Sequence, residues 1–139
     1  MLKNIPPIIP PELMKALMEM GHGDEMLLAD GNYPSESAGP MVIRADGHGV
    51  PELLEAVLQF FPLDTFVDIN VVYIDPGHDY TPEIWDKFKE IFQESGEDFK
   101  IGKIGRFEFY DRVSKSYCIV ATGEEALYAC IILKKGVIK

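Results

Sequence analysis

The chain of 139 residues holds only two cysteines, Cys118 and Cys130. That is too few for a disulfide framework and too few for a zinc site of their own. No apolar stretch approaches the ~18–20 residues that a membrane-spanning helix requires. A secretory signal is missing too, because Pro6, Pro7, Pro10 and Pro11 interrupt the start of the chain; the expected location is the cytoplasm. Positive charge is scarce, with 13 Lys and Arg against 23 Asp and Glu and a net charge of −10. The densest basic cluster is only Lys134, Lys135 and Lys139. Nucleic acid and membrane are therefore excluded as main partners.

Chemical motifs are equally sparse. There is no His-x-x-x-His, His-Glu-x-x-His or Cys-x-x-Cys spacing for a metal, and no glycine-rich phosphate loop after a strand. Both cysteines fall in expected strands, where a free thiol is most often an inert core residue.

Core-forming residues are plentiful. A hydrophobic share of 47%, with 8 Phe, 6 Tyr and 1 Trp, suits one ordered domain spanning residues 1–139. Pro11 opens a helix carrying Leu13, Met14, Leu17 and Met18, with Gly21 placed to stop it in a left-handed cap. Met26–Ala29 and Met41–Arg44 read as strands, and Pro51-Glu52 opens a second helix through Phe61. Residues 66–74 form the most β-branched run, expected as a strand broken at Pro76-Gly77. Thr81 and Pro82 are expected to cap a helix with Ile84, Trp85, Phe88, Ile91 and Phe92 inward, ended by Gly96. A weak edge strand over 99–105, a helix from Arg106 to Val113, and strands over 117–121 and 127–133 complete the pattern. Buried strands among amphipathic helices indicate an α/β layered domain with a mixed, largely parallel sheet flanked by helices.

Three histidines, His22, His48 and His78, all lie in glycine-rich turns beside an acid, where a general acid/base role is open to each. Turns also collect Gly, Asp and His for no chemical reason. His22 has Asp24 and Asp30 nearby in sequence, although a four-residue strand separates His22 from Asp30 by roughly 13 Å. Late in the chain Arg106, Tyr110, Tyr128 and Cys130 make a looser set suited to hydroxyl groups.

Several spaced motifs together resemble the ribose pyranase and fucose mutarotase (RbsD/FucU-like) family. They are Gly21-His22-Gly23-Asp24-Glu25, Leu28–Pro34, Arg106-Phe107-Glu108-Phe109-Tyr110, Val120–Glu124 and Ile131–Val137, and the likeness spans nearly the whole chain. It looks closer to the fucose mutarotase branch. The resemblance implies an RbsD-like fold and a cofactor-independent isomerase that interconverts the anomers of a free monosaccharide, most simply L-fucose or a related sugar. It implies His22 as proton donor, with Asp30, Arg106, Tyr128, Ala129 and Cys130 as substrate contacts. Cys130 stands where the family usually has Asn, so one sugar hydroxyl loses a strong partner. The resemblance also implies a homo-oligomer, a decamer-like ring, with sites near subunit interfaces. Two other readings are a non-catalytic monosaccharide-binding protein, motivated by Cys130, and a metal-dependent hydrolase built on the three histidines.

The acidic excess is lopsided. Residues 1–70 carry a net −8 and residues 71–139 only −2. If subunits bring the two halves together, part of that excess is offset across an interface.

Overall fold

The computed structural model describes all 139 residues. Pro11 takes the first helical turn of α1 (Pro11–Glu19), which buries Leu13, Ala16 and Leu17 along one face. Strand β1 (Glu25–Ala29) is buried from Met26 onward. After a short 3₁₀ turn come β2 (Met41–Ala45) and α2 (Val50–Val57). At the start of α2, Glu52 reaches back to the Gly49 N–H at 2.8 Å and Glu124 accepts the Val50 N–H at 3.1 Å. Two carboxylates thus satisfy amides that the helix cannot. The remaining elements are β3 (Val71–Ile74), α3 (Ile84–Ser95), β4 (Ile101–Ile104), α4 (Arg106–Ser114), β5 (Cys118–Thr122) and β6 (Ile131–Lys134). Gly96 ends α3 in the left-handed region, with φ +76°. No helix is long and apolar enough to cross a membrane.

The six strands form one sheet in the order β2-β5-β1-β6-β3-β4. The β2–β5, β5–β1 and β3–β4 pairs are parallel, while β6 is antiparallel to both β1 and β3. The expected mixed, largely parallel sheet is what forms. Side chains alternate between two cores. Met26, Leu28, Val71, Tyr73, Val120 and Ile131 face α1, α2 and α3 in the larger one. Leu27, Ala29, Val72, Ile119 and Ile132 meet Phe109 and Val113 of α4 in the smaller. Helices on both faces explain why these strands read as continuous apolar runs rather than alternating ones.

Four expectations change. Gly21 is not a left-handed cap; α1 ends at Met20 in extended backbone, and the positive φ of +88° belongs to Gly23. Thr81 does not cap α3, which starts at Ile84 behind Glu83 without a side-chain cap. Residues 66–70 are not strand. Phe66 and Ile69 are exposed there, and buried Asn70 replaces a ladder with its own amide. Its Nδ2 donates to the Asp64 and Asp98 carbonyls at 3.0 and 2.8 Å, and its Oδ1 accepts the Lys100 N–H at 2.7 Å. Finally, residues 127–130 are irregular and Tyr128 has a φ of +56°, a conformation costing a non-glycine residue roughly 1–2 kcal/mol. The Trp85 indole N–H holds it, donating to the Tyr128 carbonyl at 2.8 Å.

Because Asn70 satisfies three backbone groups from two distant segments, Asn70→Ala is expected to lower stability by about 2–4 kcal/mol. The measurement is the urea midpoint, which falls at an unchanged m-value.

Candidate functional site

Parallel strands bring their carboxyl ends to one edge of a sheet, and that edge is where open α/β sheets hold ligands. Here β1 and β3 end beside each other with the reversed β6 beginning between them. The cavity at this edge measures about 380 Å³, within the ~300–1,000 Å³ range of small-molecule sites. Asp30 and Tyr33 enter it from the turn after β1, and Asp75 from the end of β3. Arg106 and Tyr110 come from the first turns of α4, Tyr128 and Cys130 from the segment before β6.

Each polar group is set by its backbone. Asp30 accepts the Asn32 N–H through Oδ1 at 3.0 Å, and its own N–H donates to the Cys130 sulfur at 3.5 Å. Asp75 likewise accepts the Gly77 N–H at 2.9 Å. Arg106 uses Nε on the Tyr110 hydroxyl at 3.1 Å, and its guanidinium lies over the Phe107 and Tyr110 rings at 5.5 and 5.3 Å. Both of its Nη groups are without a protein partner. Tyr33 packs edge-on to Phe109 and Tyr110, and its hydroxyl is buried with no hydrogen bond. Burial, reinforced by Cys130 and Tyr110, pushes that phenol above its ordinary range, so it stays protonated.

Of the residues singled out from the sequence, Asp30, Arg106, Tyr128 and Cys130 meet at this cavity. Ala129 lies between the last two with its side chain fully buried in the larger core, so only its backbone is near. His22 is elsewhere. It sits before β1, whereas Asp30 follows it, and the five residues of β1 hold those ends roughly 13 Å apart. At its own edge of the sheet the imidazole Nε2 lies 3.1 Å from Asp64 Oδ1, and the ring packs on Phe66 with centroids 5.4 Å apart. His48 pairs with Glu52 at 3.4 Å and His78 stacks on Tyr80. The three histidines are dispersed, and no three His, Cys, Asp or Glu side chains are grouped to hold a metal.

Asp75, Asn32 and Tyr33 also line the cavity, beyond the residues singled out from the sequence. Asn32 and Tyr33 lie inside a quoted motif, and Asp75 opens the turn that breaks the best β-branched run. A larger groove of about 760 Å³ runs along α1, lined by Met1, Leu2, Ile5, Met14 and Met18. It is apolar and has none of these convergent polar groups.

Carboxylates on one wall and a partly free guanidinium on another suit a ligand that both donates and accepts, with no net charge of its own. The fold and cavity therefore define an α/β domain with a sheet-edge cavity whose size and polarity suit a small polyhydroxy compound. Residues 3–138 match the RbsD / FucU transport protein family. The chain is 48% identical to fucose mutarotase of Bos taurus and 47% to that of Homo sapiens, in each case over 99% of this chain and 94% of the relative. It also matches the crystal structure of the fucose mutarotase from Streptococcus pneumoniae in complex with L-fucose. That match has a TM-score of 0.94 at 48% identity and covers 99% of this chain and 100% of the other. The chain belongs to the RbsD/FucU family.

Burial pushes the Cys118 thiol up to about 12. Burial and the Asp30 charge likewise raise Cys130 well above the ordinary thiol value, outweighing the Asp30 N–H bond. A raised thiol pKa leaves no thiolate at neutral pH. Neither cysteine is expected to react with an aromatic disulfide reagent at pH 8 in the folded protein, and both react once it is unfolded in guanidinium.

Proposed function

We propose that this protein is a fucose mutarotase, interconverting the α and β anomers of free L-fucose without a cofactor. The carrying observation is the convergence of Asp30, Arg106, Tyr128 and Cys130, from three separated stretches of chain, on one sugar-sized cavity. Near-half identity over the full length to fucose mutarotases supports the same reading.

The reaction needs one proton delivered to the ring oxygen and one removed from the anomeric hydroxyl. The bond between the anomeric carbon and the ring oxygen then breaks, the aldehyde rotates, and closure on its other face returns both protons. Imidazole titrates near neutrality and suits the donor's task; in this reading His22 is that donor. Asp30 accepts from sugar hydroxyls, and the two free Nη groups of Arg106 donate to them. The weak thiol of Cys130 already accepts the Asp30 N–H and fills space more than it recognises.

One chain holds His22 beyond the far end of β1, so the complete site takes His22 from a second copy. Exposed apolar side chains flank both halves, Phe66 beside His22, Leu127 at the cavity and Phe107 against Arg106 and Tyr110. Their burial against each other supplies a driving force for a homo-oligomeric ring. Two unpaired cysteines suit the reducing cytoplasm.

Saturation-transfer NMR of the anomeric protons, on L-fucose with D-ribose and D-galactose as comparators, tests the reading. L-Fucose exchange is expected to accelerate most. His22→Ala is expected to lose at least about 100-fold in rate while keeping its oligomer. Arg106→Ala is expected to raise KM by roughly 10–100-fold, as for loss of a charged hydrogen bond. Sugar binding without accelerated exchange would leave a binding protein in place of an enzyme.

A further inference from the structure

We propose that Asp64 is the positioning residue of His22, holding the Nε2 proton so that Nδ1 is the nitrogen that exchanges a proton with the sugar. This rests on the reading of His22 as the donor. Asp64 stands just after α2, in the turn between Pro62 and Asn70, 42 residues from His22 in sequence. The two side chains differ sharply in exposure, 45% for His22 and 4% for Asp64. A half-exposed imidazole is thus anchored at one nitrogen to a buried carboxylate.

The anchor is itself fixed. The Asp64 N–H donates to the Lys134 carbonyl at 3.0 Å, and the Asp64 carbonyl accepts from Asn70 Nδ2 at 3.0 Å. Its Oδ1 also accepts the Phe66 N–H at 3.0 Å, which places the Phe66 ring against the imidazole. On the other side, the His22 turn is tied to the end of β6. Gly23 N–H donates to the Lys135 carbonyl and Lys135 N–H to the Asp24 carbonyl, each at 2.8 Å. Histidine and carboxylate are therefore both clamped to the same strand end.

Burial alone would raise the Asp64 carboxyl, but the Phe66 N–H, the His22 bond and the Lys134 charge outweigh it and hold it below the ordinary range. Asp64 is consequently ionised at neutral pH and acts only as an acceptor. An acceptor-only partner at Nε2 selects the tautomer with its proton on Nε2, leaving the Nδ1 lone pair free. With Nε2 engaged by Asp64, any proton exchanged with a substrate is carried on Nδ1. The other charged groups around the pair are Asp24, engaged with the Gly21 N–H, and Lys139, over the Phe66 ring. Lys134 is also shared with Glu25 at 3.8 Å.

Two measurements decide the proposal. In the unaltered protein labelled with ¹⁵N-histidine, neutral His22 is expected as the Nε2–H tautomer; the Nδ1–H tautomer overturns the assignment. Asp64→Asn keeps the shape and an acceptor for Phe66 but removes the charge. Its kcat for L-fucose is expected to fall about tenfold or more with KM unchanged, because the Asp64 side chain is buried and lies outside the cavity lining. An unchanged kcat overturns the proposal. The tautomer measurement uses no sugar and no variant. It therefore decides the pair even if L-fucose exchange is absent or Asp64→Asn does not fold.

Discussion

The reversed strand β6, inserted between β1 and β3, is the constraint on which the rest of the structure depends. Were the sheet wholly parallel, the segment before its central strand would open on the far edge from Asp30 and Asp75. Because β6 is antiparallel to both neighbours, residues 128–130 start at the edge where β1 and β3 finish, and the cavity has its third wall. The same strand ends at the opposite edge. There Lys134 and Lys135 give backbone bonds to the turns carrying Asp64 and His22. One four-residue strand thus organises both the cavity wall and the His22–Asp64 pair.

Packing locks β6 in place from both faces. Ile131 and Leu133 are buried toward the three-helix core, Ile132 toward α4. A fully buried side chain of this kind contributes roughly 1.5–3 kcal/mol, so slippage by one residue, which exchanges the two faces, is strongly disfavoured. Charge reinforces the arrangement where α4 meets β1. Arg112 makes a bidentate pair with Glu25 at 3.0 and 2.6 Å. That fork fixes the axis of α4, whose first turn delivers Arg106. Trp85 performs a comparable task from α3, fixing the left-handed Tyr128 by its carbonyl.

Legibility from sequence followed the physics of burial. Strands covered on both faces appear as apolar runs, so β1 and β5 were readable, and Phe88, Ile91 and Phe92 marked the inner face of α3. Residues 66–70 were misread because Phe66 and Ile69 have strand-like side chains, although no neighbouring strand pairs with them. The ladder there is supplied by the Asn70 amide, which leaves no periodic trace. Residues 127–130 failed for a similar reason, since the indole of Trp85, 43 positions away, holds Tyr128. Asp30 and Arg106 were reached through motifs that resemble a family. Asp64 had no such marker, and its pairing with His22 exists only through tertiary contacts at the end of β6.

In the proposed reaction the His22 edge of one copy meets the cavity edge of another. Mixing His22→Ala and Arg106→Ala subunits in equal amounts and reassembling them tests it most directly. Random pairing across shared interfaces gives about a quarter of the sites an intact His22 and an intact Arg106. The mixture is therefore predicted to recover L-fucose mutarotation well above either variant alone. A mixture no more active than its components, in oligomers shown to contain both subunits, would contradict the shared site.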